Sequence, residues 1–101
     1  MKHLLLHDIM YPKKEWKLVS IEKSTRDGKK YKATIENKKS KKQVSIHFGS
    51  TAHQHYKDKK GLYSHLDHND KERRKRFQNR FRSRYNPNEY SATYFSWAIL
   101  W

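Results

Sequence analysis

At 101 residues the chain is long enough for one small domain and too short for two independent hydrophobic cores. It has no cysteine, which excludes disulfide scaffolds and thiolate metal sites, and no apolar run of bilayer-spanning length, so we expect an intracellular protein or one carried in a particle assembled there. Its net charge of +14 and pI near 10.1 predict attraction to phosphate backbones and to acidic protein surfaces.

The first fifteen residues combine a short apolar patch, Leu4 to Leu6, with a charged ending at residues 13–15. Chain termini are often held loosely until they meet a partner. We therefore predict an N-terminal arm, residues 1–15, that orders on contact, with an edge strand as the alternative. Residues 16–101 are predicted to form a single small α+β domain.

Three segments have the pattern of short strands. In residues 16–23 apolar side chains occupy both phases, which predicts apolar area on both faces or a β-bulge. In residues 30–36 and 43–48 apolar and polar residues alternate, as in a strand with one buried face. The expected inward side chains are Tyr31, Ala33, Ile35, Val44, Ile46 and Phe48, with lysines such as Lys30 and Lys32 on the other face. Short polar connections, the first containing Asp27-Gly28, predict an antiparallel meander of about three strands.

Residues 50–68 lack periodicity and are predicted to form a loop, with a helical turn around Leu62 to Leu66. The pairs His53-x-His55 and His65-x-x-His68 raise the possibility of a metal site. A zinc site needs three or four convergent ligands, and these spacings are not those of a known all-histidine site. We predict solvated or hydrogen-bonded histidines and no metal or cofactor.

Residues 69–85 contain neither glycine nor proline, and between Lys71 and Arg84 eight lysines or arginines stand against one acid, Glu72. This composition predicts a helix, with Asn69 as its N-cap. Phe77, Phe81 and Tyr85 recur at i, i+4 and i+8 and so share one inward face. The charged remainder is either a solvated face or a polyanion-binding surface. The candidate polyanion-binding residues are Lys71, Arg73, Arg74, Lys75, Arg76, Arg80, Arg82 and Arg84.

Asn86-Pro87 ends this helix, and the last thirteen residues are apolar nearly all round. Such a segment is buried, either in the core of this domain or against a partner. The candidate docking residues are Tyr94, Phe95, Trp97, Leu100 and Trp101. The predicted architecture is therefore a small α+β fold: a meander of about three strands, a basic helix and an aromatic C-terminal helix.

No pattern of catalytic residues is found. The only paired carboxylates near the basic segment, Asp67 and Asp70, lie beside cations that would hold both ionised, the wrong state for a general acid. The interpretation we favour for them is a helix cap and an ion pair to Arg73 or Arg74. Glycines are isolated, so no phosphate-binding loop exists, and no GxSxG nucleophile motif occurs. We predict that the protein is not an enzyme.

Three motifs together resemble a small protein family of unknown function from nucleocytoplasmic large DNA viruses and giant viruses. The first is a strand ending in Phe48-Gly49. The second is a His-x-Asp-x-x-Arg-x-x-x-aromatic-x-x-Arg run, and the third is a Ser-Ala-x-aromatic-aromatic-Ser segment followed by Leu-Trp. In this sequence the second and third motifs correspond to His68, Asp70, Arg73, Phe77 and Arg80, and to residues 91–96 with Leu100 and Trp101.

The resemblance covers residues 30–101 and implies a virion component. It suggests a non-enzymatic minor capsid or capsid-associated cement protein, located in the virion and, during assembly, in the host cytoplasm. The expected partners are larger virion or capsid proteins in a hetero-complex, contacted through acidic surfaces, or packaged DNA. The alternative is a sequence-independent nucleic-acid-binding protein that acts through the basic helix 69–85.

Overall fold

The structure, a computed structural model, describes residues 10–101; the first part of the predicted arm, residues 1–9, lies outside the described residues. Three strands, adjacent in chain order, form an antiparallel sheet, and two helices follow it, so the predicted small α+β fold is confirmed. In chain order the elements are β1 (Tyr11–Pro12), β2 (Trp16–Lys23), β3 (Lys29–Asn37), β4 (Gln43–Ser50), a 3₁₀ turn (Ser64–Leu66), α1 (Lys71–Phe81), β5 (Glu89–Tyr90), α2 (Ala92–Phe95) and a π-helical turn (Ser96–Leu100).

The alternation along β3 decides which face of the sheet is buried. Tyr31, Ala33 and Ile35 are all buried, as predicted. Their antiparallel partners on β4 are Phe48, Ile46 and Val44. Because directly opposite residues pack on the same face of a sheet, these two strands present one continuous apolar surface.

Strand β2 contains a β-bulge at Val19. Leu18 pairs with Ile35 and Ser20 pairs with Thr34, so Val19 has no partner on β3. An extra residue shifts the side-chain phase by one, which places Leu18 and Ile21 on the same face of the sheet although their numbers differ by three. The bulge, one of the two alternatives for residues 16–23, is confirmed.

The described part of the predicted arm is attached to the domain. Tyr11 and Pro12 in β1 pair with Tyr90 and Glu89 in β5. The N–H of Lys13 donates to the Asn88 carbonyl at 2.9 Å, which extends this pairing. Residues 11–13 thus form a small second sheet with the chain that leads into the C-terminal tail.

Helix α1 begins one residue later than predicted. The side chain of Asp70, in an extended conformation, accepts hydrogen bonds from the N–H groups of Glu72 and Arg73, so Asp70 is the N-cap and the expectation of Asn69 was wrong. Asn69 instead has a φ of 53°, a left-handed conformation that asparagine tolerates better than most residues. The α-helix also ends at Phe81 rather than at Tyr85.

The C-terminal tail fills the core of its own domain. The hydroxyl of Ser91 accepts from the Tyr94 N–H at 3.0 Å and so caps α2, which brings Phe95 against Phe48 with ring centroids 5.5 Å apart. Leu100 is buried over Gly49, where a Cβ would lie 2.8 Å from Leu100 Cδ1. Of the five candidate docking residues, Phe95 and Leu100 are buried, Tyr94 and Trp101 are partly buried against the core, and Trp97 is partly buried against Phe77 and Tyr85.

Candidate polyanion-binding surface

Helix α1 rests on the aromatic side chains of the tail. Phe77 stacks on Trp101 with ring centroids 4.5 Å apart and an interplanar angle of 3°, and Tyr85, just beyond the helix, stacks on Trp97 at 4.1 Å. Phe81 lies 4.7 Å from Phe77 along the same side. The predicted aromatic face of the basic segment therefore faces the body of the domain, although α1 contains no fully buried residue.

Two arginines attach α1 to the body. Arg74 Nε donates to the Trp101 carbonyl oxygen at 2.8 Å, and its guanidinium lies 4.8 Å from the centre of the Tyr56 ring. Arg73 Nη1 donates to Gln54 Oε1 at 2.9 Å. Both were predicted to bind a polyanion; the structure gives them a positioning role as well.

The other six candidate cations are exposed: Lys71, Lys75, Arg76, Arg80, Arg82 and Arg84. Arg82 donates to Asn79, and the guanidinium groups of Arg80 and Arg84 lie 4.9 and 5.8 Å from the centre of the Phe81 ring. Within residues 10–101, no aspartate or glutamate carboxylate lies within 4.0 Å of any of the eight cationic groups. The surface therefore carries positive charge that this part of the chain does not neutralise.

The spacing of these cations costs helix stability. Arg76 and Arg80 are four residues apart, and Arg73 and Arg76 are three apart, so like charges are neighbours on one face. Such pairs destabilise an isolated helix by a few tenths of a kcal/mol each, whereas an anion between them turns repulsion into attraction. Like-charge repulsion along α1 is thus a cost that a bound anion would relieve.

A second group of charged residues lies inside the domain. Lys30 is only 1 % exposed, and its ammonium donates to the His53 carbonyl at 2.9 Å and to His55 Nδ1 at 2.8 Å. His55 Nε2 in turn lies 2.5 Å from Asp67 Oδ1. The expectation that Lys30 lies on the solvent face was wrong, because the loop after β4 folds over this end of the sheet and supplies polar partners.

The protonation of this buried chain follows from its surroundings. Burial lowers the pKa of the Lys30 ammonium, an effect that the nearby carboxylates Asp58 and Asp67 oppose. Burial, and then the charge of Lys30, lowers the pKa of His55. A neutral His55 accepts a hydrogen bond from Lys30 at Nδ1 and donates one to Asp67 from Nε2. The chain thus joins one buried cation to one carboxylate through an uncharged ring.

The same loop is fixed through Asp58. The Tyr31 hydroxyl donates to Asp58 Oδ2 at 2.5 Å, and the N–H groups of Tyr63 and Lys60 donate to its two oxygens at 2.8 Å. Burial alone would raise the pKa of Asp58, but these donors outweigh it and hold the pKa below its usual value. Burial and the hydrogen bond to Asp58 raise the pKa of Tyr31. The hydrogen bonds of Tyr31 and Asp58 therefore hold the loop on the sheet.

The histidines of the loop do not converge. His55 is fully buried, whereas His53 and His65 are exposed, and His68 Nδ1 accepts from the Asp70 N–H at 2.9 Å. Among residues 10–101 no group of three or more histidine, aspartate or glutamate side chains is arranged to hold a metal ion. Asp67 also differs from the prediction, since it pairs with His55 and not with an arginine of α1.

Lys30, His55, Asp58 and Asp67 form a cluster that sequence inspection missed. Their sequence separations of up to 37 residues carry no local signal, and Lys30 fits the polar phase of its strand. Only the approach of the loop to the end of β3 brings them together.

Comparison with protein-family models, with curated proteins and with solved structures finds no match for this chain. The resemblance to a viral family therefore stays a prediction. No helix in the described part of the chain combines the length and the apolar character needed to cross a bilayer.

Proposed function

We propose that this protein is a non-enzymatic virion structural protein, a minor capsid or capsid-associated cement protein, that binds acidic protein surfaces or packaged DNA through α1. The virion setting rests on the resemblance of the three motifs to a giant-virus family. The adhesive role rests on the charge of α1. Larger capsid proteins in a hetero-complex are the proposed partners.

The observation that carries the proposal is the unneutralised charge of α1. The six exposed cations, together with Arg73 and Arg74, have no aspartate or glutamate carboxylate within 4.0 Å among residues 10–101. A solvated face usually carries both signs of charge, because mixed signs relieve repulsion. A surface with one sign concentrates counter-ions and polyanionic partners.

The way the tail packs supports α1, rather than the tail itself, as the contact surface. Phe95 and Leu100 are buried in the domain, and Trp97 and Trp101 form the shelf on which α1 rests. An apolar tail used in this way is not available to dock into another protein. The remaining surface with a distinct chemical character is cationic.

Purified particles test the structural role. Quantitative mass spectrometry of virions is expected to find this chain at a fixed ratio to the major capsid protein, and density for it is expected between capsid subunits. Its absence from particles whose other capsid proteins are all detected would reject the virion assignment.

The alternative is a sequence-independent nucleic-acid-binding protein that acts through the basic helix 69–85. It is favoured by the fact that phosphate contacts need only cations and carry no sequence information. The logarithm of the affinity for DNA is then expected to fall steeply and linearly with the logarithm of the salt concentration. Absence of binding even at low salt would eliminate this alternative.

A further inference from the structure

We infer that the groove between α1 and the end of the β3–β4 hairpin binds a single strand of nucleic acid, with phosphates on its cationic walls and bases on its apolar floor. This inference rests on the proposal that α1 binds a polyanion, and it names the kind of polyanion. It also adds residues of the sheet to a site that the sequence placed on the helix alone.

The groove, which we call the α1 groove, consists of three adjoining cavities. Their volumes are about 650, 340 and 280 Å³. The first two share Arg73, Arg80 and Trp101, and the last two share Gly49, Phe81 and Ser96. Phe77 lines all three, so the cavities lie next to one another along one side of the helix.

Cations line both walls of the α1 groove. Arg73, Arg80 and Arg84 lie on the helix side, and the exposed Lys29 lies on the sheet side, with the buried Lys30 behind it. Among the described residues no aspartate or glutamate lines any of the three cavities. A cleft lined by one sign of charge focuses the field and attracts the opposite charge more strongly than a flat surface does.

The charge of Lys30 is held in place. Its side chain is fully buried, and its ammonium is fixed by His53 and His55 behind the middle cavity. A buried charge of this kind adds positive potential to the groove without itself contacting a phosphate.

The floor of the groove distinguishes between possible polyanions. It is formed by Phe77, Phe81, Leu100 and Trp101. Single-strand binders combine a cationic groove that follows the backbone with aromatic side chains that contact the bases. An acidic peptide would neutralise the walls but leave this floor without a partner. A duplex keeps its bases paired and stacked inside, so it too could use only the walls.

The test compares two charge-matched double variants. Arg80→Gln with Arg84→Gln removes two cations that line the groove, and Lys75→Gln with Arg82→Gln removes two exposed cations of the same segment that do not line it. Both variants lower the net charge by two. Binding of the full chain is measured by fluorescence anisotropy against a labelled oligothymidylate of about 12 nucleotides, a length within the ~4–16-nucleotide range of single-strand sites.

The expected difference is in the salt dependence. Each phosphate contact to a single strand contributes about 0.7 to the slope of log affinity against log salt, so loss of two contacts should reduce the slope by about 1.4. We expect this reduction for the Arg80/Arg84 variant and a smaller change for the Lys75/Arg82 variant. Equal reductions in both variants would overturn the inference.

The floor is tested with Phe81→Ala. We expect affinity for oligothymidylate to fall about tenfold, as for the loss of one base–aromatic contact, with affinity for polyglutamate unchanged. Far-UV circular dichroism of the variant establishes that α1 is still helical. An equal loss of affinity for oligothymidylate and polyglutamate would contradict the assignment of the floor to bases.

Comparison of ligands separates this inference from the proposed function. Wild-type protein is expected to bind oligothymidylate more tightly than a duplex of the same length or polyglutamate. If a duplex or polyglutamate binds as tightly, the inference fails and the proposed function stands. If none of the three binds at low salt, both fail.

Discussion

Lys30 and Arg80 carry the same charge, and the fold places them in opposite settings. Lys30 is buried and tied through His55 to Asp67, with Asp58 close by. Arg80 lies on the surface of α1, with the Phe81 ring and no carboxylate of residues 10–101 beside it. The first charge is used within the domain, and the second remains available to another molecule.

The two regions that contain these residues also differ in how they are held. The sheet, its loop and the tail share a core of buried side chains, whereas α1 is attached by aromatic stacking and two arginine hydrogen bonds. Stability therefore resides mainly in the body of the domain. Little of the α1 surface packs against the rest of the domain, and the exposed remainder carries the charge.

The largest expected effect is that of Lys30→Met. The substitution keeps the volume but leaves His55 Nδ1 without its donor and removes the cation near Asp67 and Asp58. Leaving a buried hydrogen-bond acceptor without its partner costs about 1–3 kcal/mol, and more where a charged group is involved. Chemical denaturation should show this loss in the free energy of unfolding.

Two further variants show whether the loss comes from pairing. Lys32→Met changes a partly exposed lysine on the same strand and should alter stability by about 0.5 kcal/mol or less. The double variant Lys30→Met with Asp67→Asn should be more stable than the sum of the single effects, since both members of the pair are gone. Strict additivity would show that the two charges are not coupled.

A smaller and local effect is expected for Phe77→Ala. This removes the ring that stacks on Trp101. A fully buried phenylalanine costs about 3–5 kcal/mol when truncated, and a half-buried one should cost about half of that. Hydrogen exchange should rise in α1 and stay slow in β3. Phe95→Ala, in the core, should instead increase the rate of hydrogen exchange throughout the domain. An identical response to both variants would mean that α1 and the body of the domain unfold as one unit.

The buried histidine predicts how stability depends on pH. The pKa of His55 is lower in the folded protein than the usual histidine value of about 6.5, so below that pH the unfolded chain binds a proton more readily than the folded chain does. Stability is then complete above about pH 6.5 and falls as the pH drops through the lower folded pKa, by at most about 1.4 kcal/mol per pH unit for one proton. His47 and His68 shift in the same direction.

Denaturation at pH 7.5 and 5.5 measures this slope. We expect His55→Gln to flatten it and His53→Gln, at an exposed position, to leave it unchanged. A slope that is the same in all three proteins would show that His55 does not titrate with folding.

The smallest effect concerns the start of α1. Asp70→Ala removes the acceptor for the N–H groups of Glu72 and Arg73 and should fray the first turn of the helix. Hydrogen exchange at those two amides should rise, with β3 unaffected. Asn69→Gly should have little effect, since glycine adopts the positive φ of this position easily. Fraying in both variants alike would argue against Asp70 as the cap.

Local sequence pattern was enough for most of the fold. The alternation around Tyr31, Ala33 and Ile35 has a period of two, so it fixes the buried face of β3 wherever the strand lies. The i, i+4, i+8 spacing of Phe77, Phe81 and Tyr85 likewise identified the inward side of the basic segment. The cap was missed by one residue because Asn69 and Asp70 are both good capping residues, and the choice depends on backbone angles that follow from packing.

Local sequence pattern located only the helix side of the candidate site. The cations of α1 are contiguous, so composition alone located them. The sheet wall of the α1 groove, where Lys29 is the exposed cation, is separated from Arg80 by about fifty residues of chain. It faces Arg80 only because the tail places α1 beside the end of the hairpin.

The sequence by itself determined the charge of this protein, its meander and its amphipathic basic helix, because each depends on residues close together in the chain. The tertiary structure decided which charges are neutralised. Burial beneath the loop made Lys30 a structural residue, whereas Arg80 is not buried in this way and stays exposed. Desolvation depends on what packs around a side chain, and that is set by contacts between distant segments.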